Sequence, residues 1–307
     1  MINYYFRTIK DVSLKTLPES RTGVWVHVVA PTEAELDELA VKFGLERDIL
    51  ADATDFYEVP RMEREAGATY FFTRYPYKDP KEGSATAPLL IVVGESFVLT
   101  IALQAVEPLE SFHGENTTIY TTQKTKLFIA FMEALTRAFD RELVRLRKAV
   151  HKDRVRLRSI GTREIERLVA YENTLNSMVD ALIPTNAWLQ QLTKAGQLQL
   201  FADDVEAMED LVIANGQVVN SARSILKNIQ NIRSASEAIM SSRLNHALRI
   251  LTVLTILLTV PLVIASLYGM NVPLPGQDST LAFGIIISLN VVILTVLAYV
   301  FRKNHWF

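Results

Sequence analysis

Five polar residues recur down one side of an otherwise aliphatic stretch near the C-terminus: Asn245, Thr252, Thr255, Thr259 and Ser266. On a helix of 3.6 residues per turn they fall within an arc of about 80°. Hydroxyls and amides placed this way have two uses. They bond to helix backbone and mark a helix–helix contact, or they line a path for a polar solute. The sequence leaves both open. No carboxylate stands among them. A site that strips a divalent ion of its water supplies charged oxygens, so a lining of this kind suits an ion that passes largely hydrated.

Just beyond the stripe stands Tyr268-Gly269-Met270-Asn271. Asn271 offers an amide oxygen to water around a cation, without a charge that would trap it. Gly269 permits a tight turn or a close helix approach, and Met270 is an adaptable apolar support. A second candidate lies upstream, where Asp203, Asp204, Glu206, Glu209 and Asp210 form an acidic run with no base among them. Such a run is either a solvated helix face or, through a member such as Asp210, a regulatory Mg2+ or Ca2+ site at a contact between copies. Its counterpart is residues 137–167, with 11 basic and 5 acidic side chains. No glycine-rich phosphate loop, HExxH or nucleophile elbow occurs, and the five histidines are scattered, so no enzyme constellation is expected. The absence of cysteine removes disulfides and thiolate metal sites, and a net charge of −2 gives no reason to expect nucleic acid.

The elements that would position these residues follow from where charge is missing. The 28 residues between Arg249 and Asp278 carry none, and neither do the 23 between Asp278 and Arg302. Residues 248–268 and 281–301 each meet the roughly 20 apolar residues that a membrane-crossing helix needs, and Pro261 is tolerable inside the first. Arg243 and Arg249 precede the first span and Arg302 and Lys303 follow the second, whereas the connecting loop has no Lys or Arg. The positive-inside rule puts both termini in the cytoplasm of a two-span cell-membrane protein, with Trp306 and His305 near or beyond the inner interface. One hairpin encloses no path, so any solute moved requires several copies. In the second span Ser288, Asn290 and Thr295 are polar, and Asn290, costly in lipid, should face another helix or the pore periphery.

Upstream of the first span Leu211, Val218, Ile225, Ile232 and Ile239 recur every seven residues, among many Asn, Ser and Gln, Asn215 included. We expect one helix over about 201–268, near 100 Å long, with Gly216 its one weak point. The heptads fit supercoiling between copies or a seam within one chain. A hydrated tube made by several copies also accounts for the amide-rich face that runs on into the threonines. The N-terminal body reads as α/β, its strands at 23–30, 68–75, 88–93 and 96–103. A helix over 31–43 is capped by Thr32 and Glu35, and a hairpin turns at Gly94-Glu95. Helices over about 121–158 and 162–192 follow. The organisation expected is 1–120 (cytoplasmic α/β domain), 121–200 (antiparallel helices), 201–247 (stalk), 248–268 and 281–301 (spans), 269–280 (outer loop) and 302–307 (basic-aromatic tail).

The YGMN motif at the outer end of the first of two C-terminal spans resembles the CorA-type divalent metal ion transporters. Pro261-Leu262, Leu251-Thr252, the ending Arg302-Lys303 with Trp306, and Pro60-Arg61-Met62-Glu63 leading to Tyr70-Phe71-Phe72 are similar as well. The resemblance implies a homopentameric funnel with a cytoplasmic α/β domain and a pore lined by the first span. It makes Gly269, Met270 and Asn271 the outer selectivity motif, with Asn271 meeting hydrated Mg2+ through its water. Asn245 takes the inner pore mouth and Asp210 a stalk-helix regulatory metal site. The ion implied is Mg2+, as cargo and regulator, with Co2+ or Ni2+ besides and no organic cofactor. The partners implied are other copies of the chain, divalent ions and the bilayer.

The sequence departs from the family pattern in several places. Pro261 and Asn271 are ten positions apart where eleven is common, and Val263 and Ser266 replace a threonine and a glycine. The usual acidic residue is missing after the proline in the stretch from Val272 to Gln277, which leaves Asp278, and Ser234 stands at an expected aspartate. These departures leave a zinc transporter of the same superfamily, or a non-conducting membrane scaffold, as alternatives.

Overall fold

The computed structural model describes residues 1–79, 83–113, 119–155, 162–195, 202–272, 276, 280–304 and 306. The chain divides into two compact units, Met1–Ile232 and Arg233–Phe307.

The first unit is built on a seven-stranded sheet. Its strands are β1 (Ile2–Phe6), β2 (Lys15–Leu17), β3 (Val24–Val29), β4 (Met62–Glu65), β5 (Ala68–Asp79), β6 (Gly83–Val93) and β7 (Phe97–Ala102). They lie in the order β2-β1-β3-β7-β6-β5-β4. All neighbours are antiparallel except β3 and β7, where Trp25 stands beside Val98 and His27 beside Thr100. Alternation along each strand sends Val24, Val26 and Val28 to one face and Trp25 to the other. On the first face they meet Leu36 and Leu39 of α1 (Glu33–Phe43) and Leu50 of α2 (Arg47–Asp52). The expected cap of α1 is present: Thr32 accepts from the Glu35 N–H, and the Glu35 carboxylate accepts from the Thr32 N–H at 2.9 Å. Gly44 ends the helix at φ 64°, a left-handed conformation that glycine adopts without strain. The opposite face of the sheet packs on α3 (Glu107–Glu110), the 3-10 turn Ser111–His113, and the helices that follow.

Those helices are α4 (Lys124–Val155), α5 (Thr162–Ala195), α6 (Ala202–Tyr268) and, in the second unit, α7 (Thr280–Lys303). Phe139, Leu143 and Leu146 of α4 pack with Leu175, Met178 and Leu182 of α5 and Val218, Ile225 and Ile232 of α6. Leu211 joins the core under the sheet beside Trp188 and Leu189. The first four heptad residues of α6 therefore form a seam within one chain; Ile239, beyond it, is 41% exposed. Asn215 departs from the expected hydrated face. It is buried, and its amide donates to the Leu182 carbonyl and to Asn186 Oδ1 of α5, each at 3.3 Å.

The second unit holds the C-terminal part of α6 and the whole of α7. Both helices are long and apolar enough to cross a membrane, and almost none of their apolar stretches is buried. A core helix of a water-soluble domain would be covered; here Leu251, Leu258, Leu262, Ile285 and Val291 are all more than half exposed. α6 continues as helix through Pro261. Of the connecting loop, Pro273, Leu274, Pro275, Gln277 and Asp278 lie outside the described residues, as do Phe201 and His305.

Candidate functional site

α6 carries the polar stripe as one uninterrupted helix, and Asn245, Thr252, Thr255, Thr259 and Ser266 are all exposed. Three of the hydroxyls have fixed directions. Thr252 donates to the Leu248 carbonyl at 2.8 Å, Thr255 to Leu251 at 2.8 Å and Thr259 to Thr255 at 2.7 Å. Each hydrogen is turned back onto the helix, so the outward side of each oxygen presents lone pairs. Waters around a cation point their hydrogens away from the ion. A row of acceptors is the complementary lining.

At the end of α6, Gly269, Met270 and Asn271 are all exposed. The Gly269 N–H still bonds to the Ala265 and Ser266 carbonyls, and Met270 N–H to Leu267, so the helix tightens into a turn as it ends. The turn does not need a left-handed glycine, since Gly269 is absent from the residues with positive φ. A Cβ there would meet the Ala265 carbonyl oxygen at 3.3 Å. The only neighbours of that Cβ are carbonyls of α6 itself, one turn back.

On α7, Asn290 and Thr295 also turn to their own backbone, donating to the Ile286 and Val291 carbonyls. The Phe301 and Trp306 rings pack 5.6 Å apart beyond the apolar stretch, beside exposed Arg302 and Lys303. Basic residues thus flank the apolar stretches at the start of the first span and the end of the second. Both termini lie on the cytoplasmic side of a two-span membrane protein.

The acidic run opens α6. Asp204 is buried, whereas Asp203, Glu206, Glu209 and Asp210 are exposed. Among the described residues no three His, Asp or Glu side chains gather closely enough to hold a metal ion. His27 is buried in the sheet with its Nδ1 2.8 Å from Thr100 Oγ1, an oxygen that also accepts from Trp25 Nε1 at 2.9 Å. Burial first, and the neighbouring His113 second, hold its pKa down to about 4. It is a core histidine. The half-buried partner Asn186 carried no signal of its own in the sequence; Pro184, two positions before it, lies inside an α5 that continues as helix.

The profile of the CorA-like Mg2+ transporter proteins matches residues 20–303. The chain belongs to that family. Membership makes it a divalent-cation transporter rather than an enzyme. Among curated proteins, the cobalt/magnesium transport protein CorA of Methanocaldococcus jannaschii is 24% identical over 296 residues, covering 92% of this chain and 91% of that one. The complete structure of the CorA magnesium transporter from the same organism superimposes with a TM-score of 0.88 at 21% identity, covering 100% of this chain and 99% of the other. The full-length CmaX protein superimposes at 0.75 and 15% identity, covering 96% and 97%. These likenesses establish a CorA fold: an N-terminal α/β domain, a long helical stalk and two C-terminal membrane helices.

Proposed function

We propose that this CorA-type transporter conducts hydrated Mg2+ through a pore lined by the stripe of α6. In this reading several copies, five by the family's resemblance, bring their Asn245, Thr252, Thr255, Thr259 and Ser266 faces together around one axis. Asn271 forms the outer ring and reads the ion through its water. Gly269 and Met270 shape the turn that presents it. The observation that carries the proposal is the uniform back-bonding of Thr252, Thr255 and Thr259, which leaves acceptors facing outward. The lining carries no charge, which fits an ion that is never stripped of its water.

Uptake into proteoliposomes holding a Mg2+-sensitive dye tests this reading. Native protein should load the vesicles, and Asn271→Ala should lose at least about tenfold of the rate, since each copy gives up a hydrogen bond to the ion's water. Equal rates would remove Asn271 from the pathway. Zn2+ entry without Mg2+ entry would move the chain to a zinc-transporting function, and no divalent flux would leave a membrane scaffold.

A further inference from the structure

In the first unit a cleft of about 730 Å3 opens between the loop 57–60, strand β5 and one side of α5. That volume lies within the range of roughly 300–1,000 Å3 typical of small-molecule sites. Asn173, Asn176, Asp180 and Ile183 stand three and four residues apart, so they share the side of α5 that forms one wall. The rest of the lining includes Val59 of the loop and Arg74 of β5.

Arg74 is held firmly. Its Nε donates to Thr86 Oγ1 at 3.0 Å and its Nη2 to the Thr86 carbonyl at 2.8 Å, while Nη1 donates to the Phe56 and Glu58 carbonyls at 3.0 and 2.8 Å. Four of the five N–H groups are thus committed, and one, on Nη2, is not. Every acceptor is neutral. Among the described residues no carboxylate makes an ion pair with this half-buried guanidinium: Glu58 gives its carboxylate to Arg61, and Asp55 accepts from the Tyr57 N–H. Burial lowers the Arg74 pKa, and Tyr77 and Asp55, acting through space, offset that only in part. A fixed, partly dehydrated cation without a counter-charge is a prepared seat for an anionic group.

The opposite charge in the lining is Asp180. It is exposed, and among the described residues neither an ion pair nor a hydrogen bond engages its carboxylate. The Thr86 hydroxyl that accepts from Arg74 also meets Ser177 Oγ at 2.8 Å, which sets the guanidinium level with Ser177. Asp180 follows three residues on, about 4.5 Å along the helix axis. With Glu58 neutralised by Arg61, the charges of Arg74 and Asp180 balance. A neutral lining of this kind disfavours a polyanion and a bare divalent cation alike, and suits a ligand that carries one charge of each sign. Val59, Ile183 and the 82% exposed Tyr57 supply an apolar wall beside the two charges.

We propose that this cleft binds a free α-amino acid with a large apolar side chain. Its carboxylate accepts the uncommitted Nη2 hydrogen of Arg74, its ammonium donates to Asp180, and its side chain lies against Val59, Ile183 and Tyr57. The two charged groups of an α-amino acid are about 3 Å apart, so with a hydrogen bond of about 2.9 Å at each end they bridge an arginine and an aspartate that do not touch. The site lies wholly within the N-terminal unit and stands whether or not the α6 stripe conducts.

The test uses full-length protein in lipid nanodiscs and tritiated L-phenylalanine. Native protein should bind it saturably with a Kd of about 1 mM or tighter, and unlabelled L-leucine should compete. Phenethylamine, which lacks the carboxylate, and hydrocinnamate, which lacks the ammonium, should each compete at least about tenfold more weakly than unlabelled L-phenylalanine, the weight of one charged hydrogen bond. Asp180→Asn removes a charge that makes no contact within the fold, and it should weaken L-phenylalanine about tenfold while hydrocinnamate loses nothing. Asn176→Trp should abolish binding by filling the cleft with both charges intact. Absence of saturable L-phenylalanine binding up to about 10 mM would overturn the proposal. So would one-charge analogues that compete as well as L-phenylalanine, native affinity in Asp180→Asn, or persistent binding in Asn176→Trp.

Discussion

Thr259 donates its hydroxyl to the backbone carbonyl of Thr255, one turn back on the same helix, across 2.7 Å. The bond costs the surface of α6 a donor and leaves an acceptor. Repeated at Thr255 and Thr252, it converts a row of groups that could act either way into a row that can only receive. The water shell of a cation and the hydrocarbon of a lipid respond to that polarity in opposite ways.

The distinction gives a substitution series. Thr255→Val and Thr259→Val keep shape and remove the acceptor, and each should lower Mg2+ flux about fivefold or more, one hydrogen bond's weight per copy. Thr255→Ser and Thr259→Ser keep an oxygen that back-bonds to the same carbonyls and should stay within about twofold of native. Dye-loaded vesicles measure both. Valine variants as fast as native would return the stripe to helix packing.

Strands β3, β5, β6 and β7 could be read from β-branched and aromatic runs, and α1 from its capping box, because those signals are local. Strands β1 and β4 were not, although Tyr4 and Phe6 are buried. Their identity comes from partners far along the chain, Tyr4 beside Val26 and Met62 beside Phe71, and a short run such as MERE carries no pattern of its own. The membrane hairpin and its polar stripe were legible because exclusion of charge and helical periodicity are strong signals. Asn215 was not: an amide that faces water and one that bonds to α5 are the same letter, and only the packed neighbour decides.

That buried amide yields a stability prediction. Asn215 Nδ2 faces two acceptors, the Leu182 carbonyl and Asn186 Oδ1. Asn215→Leu should cost about 1–2 kcal/mol by leaving Asn186 without a donor. Asn215→Asp should cost more, about 3 kcal/mol or above, because it turns a buried acceptor on two others. Denaturant midpoints of the purified protein rank the two. Near-neutral effects for both would mean that position 215 faces water.

Acidification should weaken the N-terminal unit through His27. Its folded pKa of about 4 lies below its ordinary 6.5. Above 6.5 neither folded nor unfolded chain binds the proton, and the histidine's burial carries no pH penalty. As pH falls below 6.5 the unfolded chain takes up a proton that the folded one refuses, and stability declines until about pH 4, by about 3 kcal/mol in all. His113, also lowered by burial, adds in the same direction. Tryptophan fluorescence during denaturation at pH 7 and pH 5 should show the loss, and His27→Gln should flatten it. An unchanged slope in His27→Gln would place the pH response elsewhere.

Regulation by internal Mg2+ should pass through Asp210, and the structure sets terms for how. Asp203, Glu206 and Asp210 are three and four residues apart, so they share one exposed side of α6, where like charges oppose one another. Among the described residues of a single chain no metal-holding group forms around them. We propose that a divalent ion bound there completes its shell with water and with oxygens of a second copy, as a clamp between copies. Removing one carboxylate should then weaken the clamp without unfolding the helix, because Asp210 is exposed and α6 is anchored by Leu211 and Val218 on an adjoining face. Asp210→Ala should need about tenfold more internal Mg2+ for half-maximal inhibition of flux, while its denaturation midpoint in the absence of Mg2+ stays within about 0.5 kcal/mol of native. Native protein should also gain resistance to subunit dissociation when Mg2+ is added, and Asp210→Ala should gain less. Unaltered inhibition in Asp210→Ala would leave the acidic run as a solvated face.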